Sequence, residues 1–435
     1  MAKFHQTTLP GGSADPNPTS YEVTAVTLYS NSGVEWNIKE IVAKIEIYES
    51  LYTASIEATL GIADAVTFLE QAKITGNEKI ILKVQQARSE QGDEVKRKFE
   101  LELYIAEVMN YSRVQQGMQV YEFVCFSKHM YNNSFSRINR YFKGTIGNLV
   151  KTIVERDLEI EPHFINTSSK GIIEGIYPRM RPITAINWLM RNAFEDNTPY
   201  YFYETAFNGV NFNSYKNLLT QELYRTYNYR PSFRKPQQSP DSYEEIVSRI
   251  RSFSSQFNMS KLASISEGAY ASTIHELDIA KKKYSVSQTG YDQVKQTLNQ
   301  FKPFSEEPKF KDKAFKDAYE SLHYFVSTNS NVRNYHSVLN PSLNTRQSYL
   351  ENIDLMTETL EIAGDFELTC GKIIGLDIPR ASDVAALDLE GKDKVLSGNY
   401  LVTSIVHRFG ESEYTMNVVC QKDSFIMDLE GSDDE

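Results

Sequence analysis

The chain has 435 residues, of which 46 are Lys or Arg and 57 are Asp or Glu, so its formal net charge at pH 7 is −11. This length corresponds to about three domains of ordinary size, and the acidic balance is the opposite of what a strongly basic nucleic-acid binder carries. The sequence has no apolar run of about 18 residues and no apolar stretch near its start. We therefore expect neither a membrane-spanning helix nor a signal peptide.

The first 132 residues predict a flexible arm followed by a β domain. Residues 1–20 are polar and contain three Pro and two Gly, so we expect an extended or disordered arm. From Tyr21 onward apolar residues alternate with polar ones, which is the period of a β-strand. The predicted strands cover 21–29, 41–49, 55–62, 79–85, 98–107 and 120–126, with one helical turn near 63–71. Short strands at this spacing favour an antiparallel barrel or sandwich over 21–132.

Residues 133–215 predict a small α+β module. Apolar residues from Ile146 to Val154 follow the helical period, with Thr145 in the N-cap position. Pro182 opens a second helix, because Pro is favoured at the first helical position. Two strands, 200–204 and 210–215, are separated by the turn-forming pair Asn208-Gly209.

The remainder of the chain predicts a second β domain that is interrupted once. Residues 216–242 are polar and contain three Pro, which indicates a linker. The two-residue period returns over 243–284 and 346–428, and the interval 285–345, which lacks a clear period, is interpreted as an insertion. Residues 429–435 form an acidic tail. The expected fold class is thus mainly β, with two β domains and a smaller α+β module; the strand pattern leaves an antiparallel barrel and a sandwich open.

The sequence carries none of the spaced motifs that enzymes or metal sites need. No two His stand four residues apart, no Cys pair exists, and no EF-hand loop occurs, which argues against zinc and calcium sites. Phosphate-binding Gly-rich loops and a Gly-x-Ser-x-Gly elbow are also missing. We expect no catalytic residue, no metal and no cofactor. Three separate cysteines, Cys125, Cys370 and Cys420, are expected to be free buried thiols in a reducing compartment.

Two features point towards contacts with other proteins, although each also has a plain structural interpretation. Short lysine clusters at 96–98 and 281–283 are flanked by acids, so they form a solvated surface or meet an acidic partner. The chain has 27 Tyr, and the run Tyr200-Tyr201-Phe202-Tyr203 fits either packing within a domain or an interface.

Several stretches, taken in order, resemble the baseplate central hub proteins of contractile-tailed bacteriophages. The opening barrel of that family is similar to Glu49-Ser50-Leu51-Tyr52, to 60–65 and to 74–80. The family's middle module is similar to 182–189 and 200–205, and the start of its second barrel to 268–272 and 276–278. The end of the second barrel is similar to 364–371, 398–403, His407 and Tyr414. The interval 285–345 matches no family pattern.

This resemblance implies a structural protein of the tail baseplate, located in the virion and assembled in the host cytoplasm. It implies a homotrimer whose chains each give two tube-like barrels, so that three chains form a pseudo-sixfold ring between the tail tube protein and the central spike protein. The ring leaves a channel for DNA without sequence-specific binding, and tape-measure and baseplate wedge proteins are further expected partners. Edge strands that pair between subunits fit this picture.

Two other classes of function remain open at this point. A tail-associated enzyme that degrades polysaccharide or peptidoglycan predicts two carboxylates across a cleft, and a monomeric carbohydrate-binding module predicts exposed aromatic residues in a groove. The insertion is long for a structureless loop, and such loops usually carry function. We expect it to project from the second barrel and to contact a neighbouring baseplate or spike protein through rim lysines. These lysines are Lys309, Lys311, Lys313 and Lys316.

Overall fold

The computed structural model describes the chain from residue 21 to residue 423 with gaps. The described residues are 21–86, 98–115, 117–169, 171–193, 195, 198–230, 243–258, 260–290, 309–310, 313–314, 317–328, 346, 349–350, 353–381, 391–410 and 413–423. The predicted arm over 1–20 and the predicted acidic tail over 429–435 lie outside them.

The first β unit consists of seven strands that pair side by side in the order β2-β1-β5-β6-β7-β4-β3. Alternating burial along β4, iBiBiBiB, shows the two-residue period that the sequence carries. A 3-10 helix, Lys39–Ile41, and the short helix α1, Phe68–Ala72, connect the strands. The strands are β1 Tyr21–Tyr29, β2 Glu35–Asn37, β3 Val42–Ser50, β4 Glu57–Asp64, β5 Lys79–Gln86, β6 Lys98–Gln115 and β7 Met118–Ser127.

The middle module packs three longer helices against small sheets. Thr145 stands at the N-cap of its second helix, as predicted, but its side chain makes no capping hydrogen bond. Pro182 is the first residue of the next helix, as predicted from the sequence. The elements are α2 Lys128–Phe135, β8 Tyr141–Gly144, α3 Ile146–Arg156, β9 Phe164–Ile165, β10 Ile173–Ile176, α4 Pro182–Asn192, β11 Tyr200–Thr205, β12 Gly209–Ser214 and α5 Tyr215–Leu219.

The rest of the chain supplies strands to three separate sheets. Its helices are the short α6, Tyr243–Val247, and α7, Lys261–Ser266. The strands are β13 Leu223–Tyr229, β14 Arg249–Phe257, β15 Ala271–Asp278, β16 Lys283–Gly290, β17 Lys309–Phe310, β18 Lys313–Ala314, β19 His323–Thr328, β20 Met356–Ala363, β21 Ile373–Asp377, β22 Gly398–Phe409 and β23 Tyr414–Lys422.

Six of these strands close into a barrel. The ring runs β22-β21-β13-β14-β20-β23 and returns from β23 to β22. Its pairs are antiparallel except for β13, which runs parallel to both of its neighbours, β21 and β14. Closure gives every strand a partner on both sides, which removes the exposed edges that an open sheet would have.

The first β unit and the barrel form one continuous sheet, because β3 pairs antiparallel with β22 from Ser404↔Ser50 to Phe409↔Ile45. A single apolar core spans both, and it includes Leu60 of the first unit and Val418 of the barrel. The helices of the module enclose a second core. The strand β11 separates the two: Tyr200 and Phe202 belong to the module core, and Tyr201 and Tyr203 to the shared core. The tyrosine run is therefore packing within the chain.

The prediction of a mainly β fold with a smaller helical module is confirmed. The boundaries differ in two places. The predicted linker, 216–242, contains the barrel strand β13, and its residues 231–242 lie outside the described part of the chain. The range 243–284, assigned to the second barrel, contributes only β14 to it, while β15 and β16 pair with β19 in a separate sheet ordered β16-β15-β19.

Candidate assembly surfaces

The carboxylate of Glu49 links all three units of the chain. Glu49 lies on β3, where it is buried, and its Oε1 accepts a hydrogen bond from the backbone N–H of Ala206 in the module at 2.7 Å. Its Oε2 accepts from the N–H of Cys370 in the barrel at 3.3 Å, and Oε1 lies 3.0 Å from Nε2 of His407 on β22. A buried carboxylate is tolerated only with such partners.

The Glu49 network continues into the barrel but does not reach solvent. Nδ1 of His407 lies 2.8 Å from the hydroxyl of Tyr414, and burial raises the pKa of that phenol far above its ordinary value. All three side chains are fully buried. The three side chains resemble catalytic machinery in composition, but they are enclosed in the core, where they connect the first β unit to the barrel.

A second glutamate joins the module to the first β unit. Glu204 at the end of β11 accepts hydrogen bonds from the N–H of Ile56 at 2.8 Å and from Ser127 Oγ at 2.6 Å. Nε2 of His129 lies 3.8 Å from the same carboxylate. Glu49 and Glu204 both lie in stretches that resemble the hub family, but the sequence assigns neither of them a role, because their partners are distant along the chain.

The small sheet of β15, β16 and β19 exposes an apolar and aromatic face. The register places His275 opposite Val286 on one side and opposite Phe325 on the other. Nε2 of His275 lies 2.8 Å from Nδ1 of His323 on the same face, and its ring stacks on Phe325 at a centroid distance of 4.7 Å. The exposed members of this face, which we call the aromatic face, are Leu277, Tyr284, Val286 and Phe325.

A further exposed apolar surface lies on the hairpin of β6 and β7. The second half of β6 is exposed on both sides, unlike the first half, whose residues Leu103 and Ile105 are buried. Its large apolar side chains are Val108, Met109, Tyr111 and Val114. Strands with both sides in solvent cannot be stabilised by a core, so this hairpin tip is a second candidate contact surface.

The structure describes two of the four lysines that the sequence singled out as partner contacts. Lys309 and Lys313 lie on β17 and β18, which pair as Lys309↔Ala314 and Phe310↔Lys313. Lys313 is exposed. Lys311 and Lys316 lie outside the described residues.

Within its described residues, the structure supports no metal centre and no membrane span. No group of three or more His, Cys, Asp or Glu side chains there is arranged to hold a metal ion. Cys125, Cys370 and Cys420 are free and buried, as predicted. None of the helices in this part of the chain has the length and apolar character needed to cross a membrane.

The arrangement of units along the chain is found in two solved tail proteins. The tail protein from Neisseria meningitidis MC58 superposes with a TM-score of 0.54 at 9% sequence identity, covering 93% of this chain and 97% of that chain. The 43 kDa tail protein of prophage MuSo2 from Shewanella oneidensis superposes with a TM-score of 0.53 at 8% identity, covering 93% and 100%. The chain has the fold of these two tail proteins.

The tail-protein fold extends over nearly the whole of both neighbours, so it describes the arrangement of all units and not one shared barrel. It agrees with the resemblance seen in the sequence motifs. No family model matches the chain, and no curated protein matches its sequence. At this level of identity the three-dimensional arrangement carries the similarity, because few individual residues are shared.

Proposed function

We propose that the chain is the structural hub of a contractile phage tail baseplate. Three copies form a pseudo-sixfold ring that joins the tail tube to the central spike and leaves a channel for DNA. The tail-protein fold, present over 93% of the chain, supports a structural role in a tail. The protein is then located in the virion tail after assembly in the host cytoplasm.

The pairing of β3 with β22 carries the proposal. It holds two β units side by side in one sheet, so their relative position is set by backbone hydrogen bonds and does not depend on a flexible linker. Three such chains present six β units in a ring, which suits a threefold spike on one side and a sixfold tube on the other. A closed ring of identical chains satisfies each interface with the same pair of surfaces.

The two exposed apolar surfaces are the contact surfaces of the proposed ring. We assign the hairpin tip of β6 and β7 to contacts within the ring, and the aromatic face to the spike or to a neighbouring baseplate protein. Tail tube, tape-measure and wedge proteins are further partners. The net charge of −11 suits a channel that passes DNA without holding its phosphates.

The competing functions find less support in the described residues. An enzyme needs groups that reach a substrate, whereas the relay of Glu49, His407 and Tyr414 is enclosed in the core. We propose that no residue is catalytic. A monomeric carbohydrate-binding module would not need two β units joined into one sheet.

The mass of the protein in solution tests the proposal. Native mass spectrometry of the full chain, alone and mixed with the spike and tube proteins of the same tail, is expected to show three copies per particle. A chain that stays monomeric in every mixture contradicts the ring, and cleavage of a glycan by the purified protein contradicts the structural role.

A further inference from the structure

A polar pocket lies between the module and the barrel. Its volume is about 300 Å³, and its walls come from the sheet of β9, β11 and β12, from α5, and from the barrel turn over 369–372. Nothing in the proposed hub function uses this pocket. Ordinary ligand pockets are mostly apolar with a few polar groups, whereas eight of the thirteen residues that line this one carry a side-chain amide or hydroxyl.

The strand β12 places the amides there by simple alternation. Val210 and Phe212 point into the module core, so Asn211 and Asn213 point to the opposite face of the sheet, where they line the pocket. Both asparagines are more than nine-tenths buried, at 7% and 8% exposed. Asparagine is rare in such a position unless its amide has partners.

Hydrogen bonds within the chain engage only some of the donor and acceptor atoms of the side-chain amides that line the pocket. Asn211 Nδ2 donates to Gly209 O at 2.8 Å, and Asn217 Nδ2 donates to Asn213 Oδ1 at 2.7 Å. Gln221 Nε2 donates to the carbonyl of Gly371 at 3.0 Å. In each case the nitrogen is engaged. Among the described residues no donor reaches the side-chain oxygens of Asn211, which is buried, of Asn217, which is half-buried, or of Gln221, which is exposed. These three acceptors can therefore bond to a ligand.

The charges around the pocket argue against a cation as its ligand. Its described lining contains no Asp or Glu, and calcium sites need carboxylates. The ammonium of Lys372 donates to the carbonyl of Glu367 and lies 4.1 Å from the centroid of the Tyr224 ring, and both of these groups lie outside the pocket lining. The ring of Phe164, 40% exposed, adds an apolar surface at the rim.

We propose that this pocket binds a neutral saccharide. Sugar hydroxyls supply the donors that the three amide oxygens lack, and the apolar face of a sugar ring packs on Phe164. The inference is independent of the ring proposed above, because the pocket is built within one chain.

The test uses the full-length protein and a panel of neutral mono- to tetrasaccharides, screened by saturation-transfer NMR and followed by titration calorimetry. At least one saccharide is expected to bind with a Kd below about 1 mM. The double variant Asn211→Ala/Asn217→Ala is expected to bind it at least about tenfold more weakly, since each lost hydrogen bond is worth a comparable factor. Asn148→Ala, an exposed asparagine on α3, is the matched control and is expected to bind as the wild type does.

Two further measurements distinguish a loss of binding from a loss of folding. Thermal unfolding checks that the double variant folds, and Phe164→Ala, which changes an exposed side chain, gives the same test without disturbing buried amides. The proposal is overturned if no neutral saccharide binds at about 10 mM, if binding is unchanged in both variants, or if an uncharged peptide such as triserine binds more tightly than every saccharide.

Discussion

Single buried side chains determine how the units of this protein meet. Glu49 accepts hydrogen bonds from the module and from the barrel while it sits on a strand of the first β unit. Glu204 repeats the arrangement between the module and the first unit. Hydrogen bonds to a carboxylate are directional, whereas apolar packing is not. Each glutamate therefore fixes the relative orientation of the units that it connects more closely than apolar packing alone would.

Glu49→Ala is expected to lower the free energy of unfolding by about 3–5 kcal/mol, because it leaves two buried N–H groups and His407 without their acceptor. Urea unfolding of the full chain, followed by circular dichroism, measures this change. Glu107→Ala is the control, since Glu107 is an exposed glutamate on β6, and a surface change of that kind stays within about 0.5 kcal/mol. Equal stability of the two variants would show that Glu49 does not hold the units together.

The barrel interior holds two ionisable groups of opposite sign. Burial raises the pKa of Glu358 to about 7, although a hydrogen bond from Ser255 and the charge of Lys422 act in the other direction. Burial lowers the pKa of Lys422 to about 8. The ammonium of Lys422 donates to the carbonyls of Val395 and Ser397. Each charged form is therefore less stable in the folded barrel than in the unfolded chain.

Glu358 and Lys422 together predict that the free energy of unfolding has a local minimum near pH 7.5. Between the ordinary carboxyl pKa of 4.5 and about 7 the folded state binds more protons at Glu358, so stability falls as the pH rises. Between about 8 and 10.5 the folded state binds fewer protons at Lys422, so stability rises again. The double variant Glu358→Gln/Lys422→Met is expected to flatten the profile and to gain about 1–3 kcal/mol at this minimum. Unfolding free energies of both proteins, measured between about pH 4.5 and 10.5, test this prediction. A profile that is unchanged in the double variant would show that Glu358 and Lys422 do not cause the pH dependence.

The local sequence pattern predicts most of the strands, but it does not predict which strands pair with each other. The alternation in β3, β4 and β23 is visible in the sequence because one face of each strand is apolar. The strand β13 lies in a range that predicts a linker, because 216–242 is polar and contains three Pro. The residues of β13, Leu-Tyr-Arg-Thr-Tyr-Asn-Tyr, include few aliphatic side chains. Its three Tyr and one Thr are the signal for a strand that the sequence offers, since these residues favour strands.

The assignment of β15 to the wrong sheet has a different cause. A two-residue period shows that a segment is a strand but not which strand will pair with it. The partners of β15 are β16, next to it, and β19, which begins 45 residues after β15 ends. The pocket could not be predicted from the sequence for the same reason. The alternation Val-Asn-Phe-Asn in β12 is a local pattern, but the barrel turn that forms the other wall of the pocket is distant in the chain.

The aromatic face predicts a separation of assembly from folding. Phe325→Ser changes a side chain that is 79% exposed, so the unfolding free energy is expected to stay within about 0.5 kcal/mol. Binding to the spike or neighbouring baseplate protein is expected to weaken at least about tenfold, because aromatic anchors carry much of the energy of an interface. Calorimetry with the purified partners measures the loss. Phe135→Ser, at an 82% exposed site on α2, is the matched control; equal binding by both variants would remove the aromatic face from the interface.

The whole molecule divides into a frame and an attachment. The frame is the continuous sheet of the first β unit and the barrel, with one shared core. The attachment is the small sheet of β15, β16 and β19, whose strands form no ladder with the frame among the described residues. Both ends of the attachment return to one place, because Phe257 of β14 pairs with Met356 of β20 and Asn258 N donates to Leu355 O at 3.0 Å.

The attachment should therefore be removable without loss of the frame. Replacing residues 260–345 by a flexible linker of about ten Gly and Ser residues keeps β14 and β20 and retains Tyr349 and Ile353, which belong to the shared core. The shortened chain is expected to unfold cooperatively and to form the same ring by mass, but to fail to recruit the spike or baseplate partner. The full chain carrying Phe325→Ser is the control that loses the contact and keeps the segment. Normal recruitment by the shortened chain would show that the attachment has no part in assembly, and loss of the ring itself would show that frame and attachment do not separate as the strand pairing indicates.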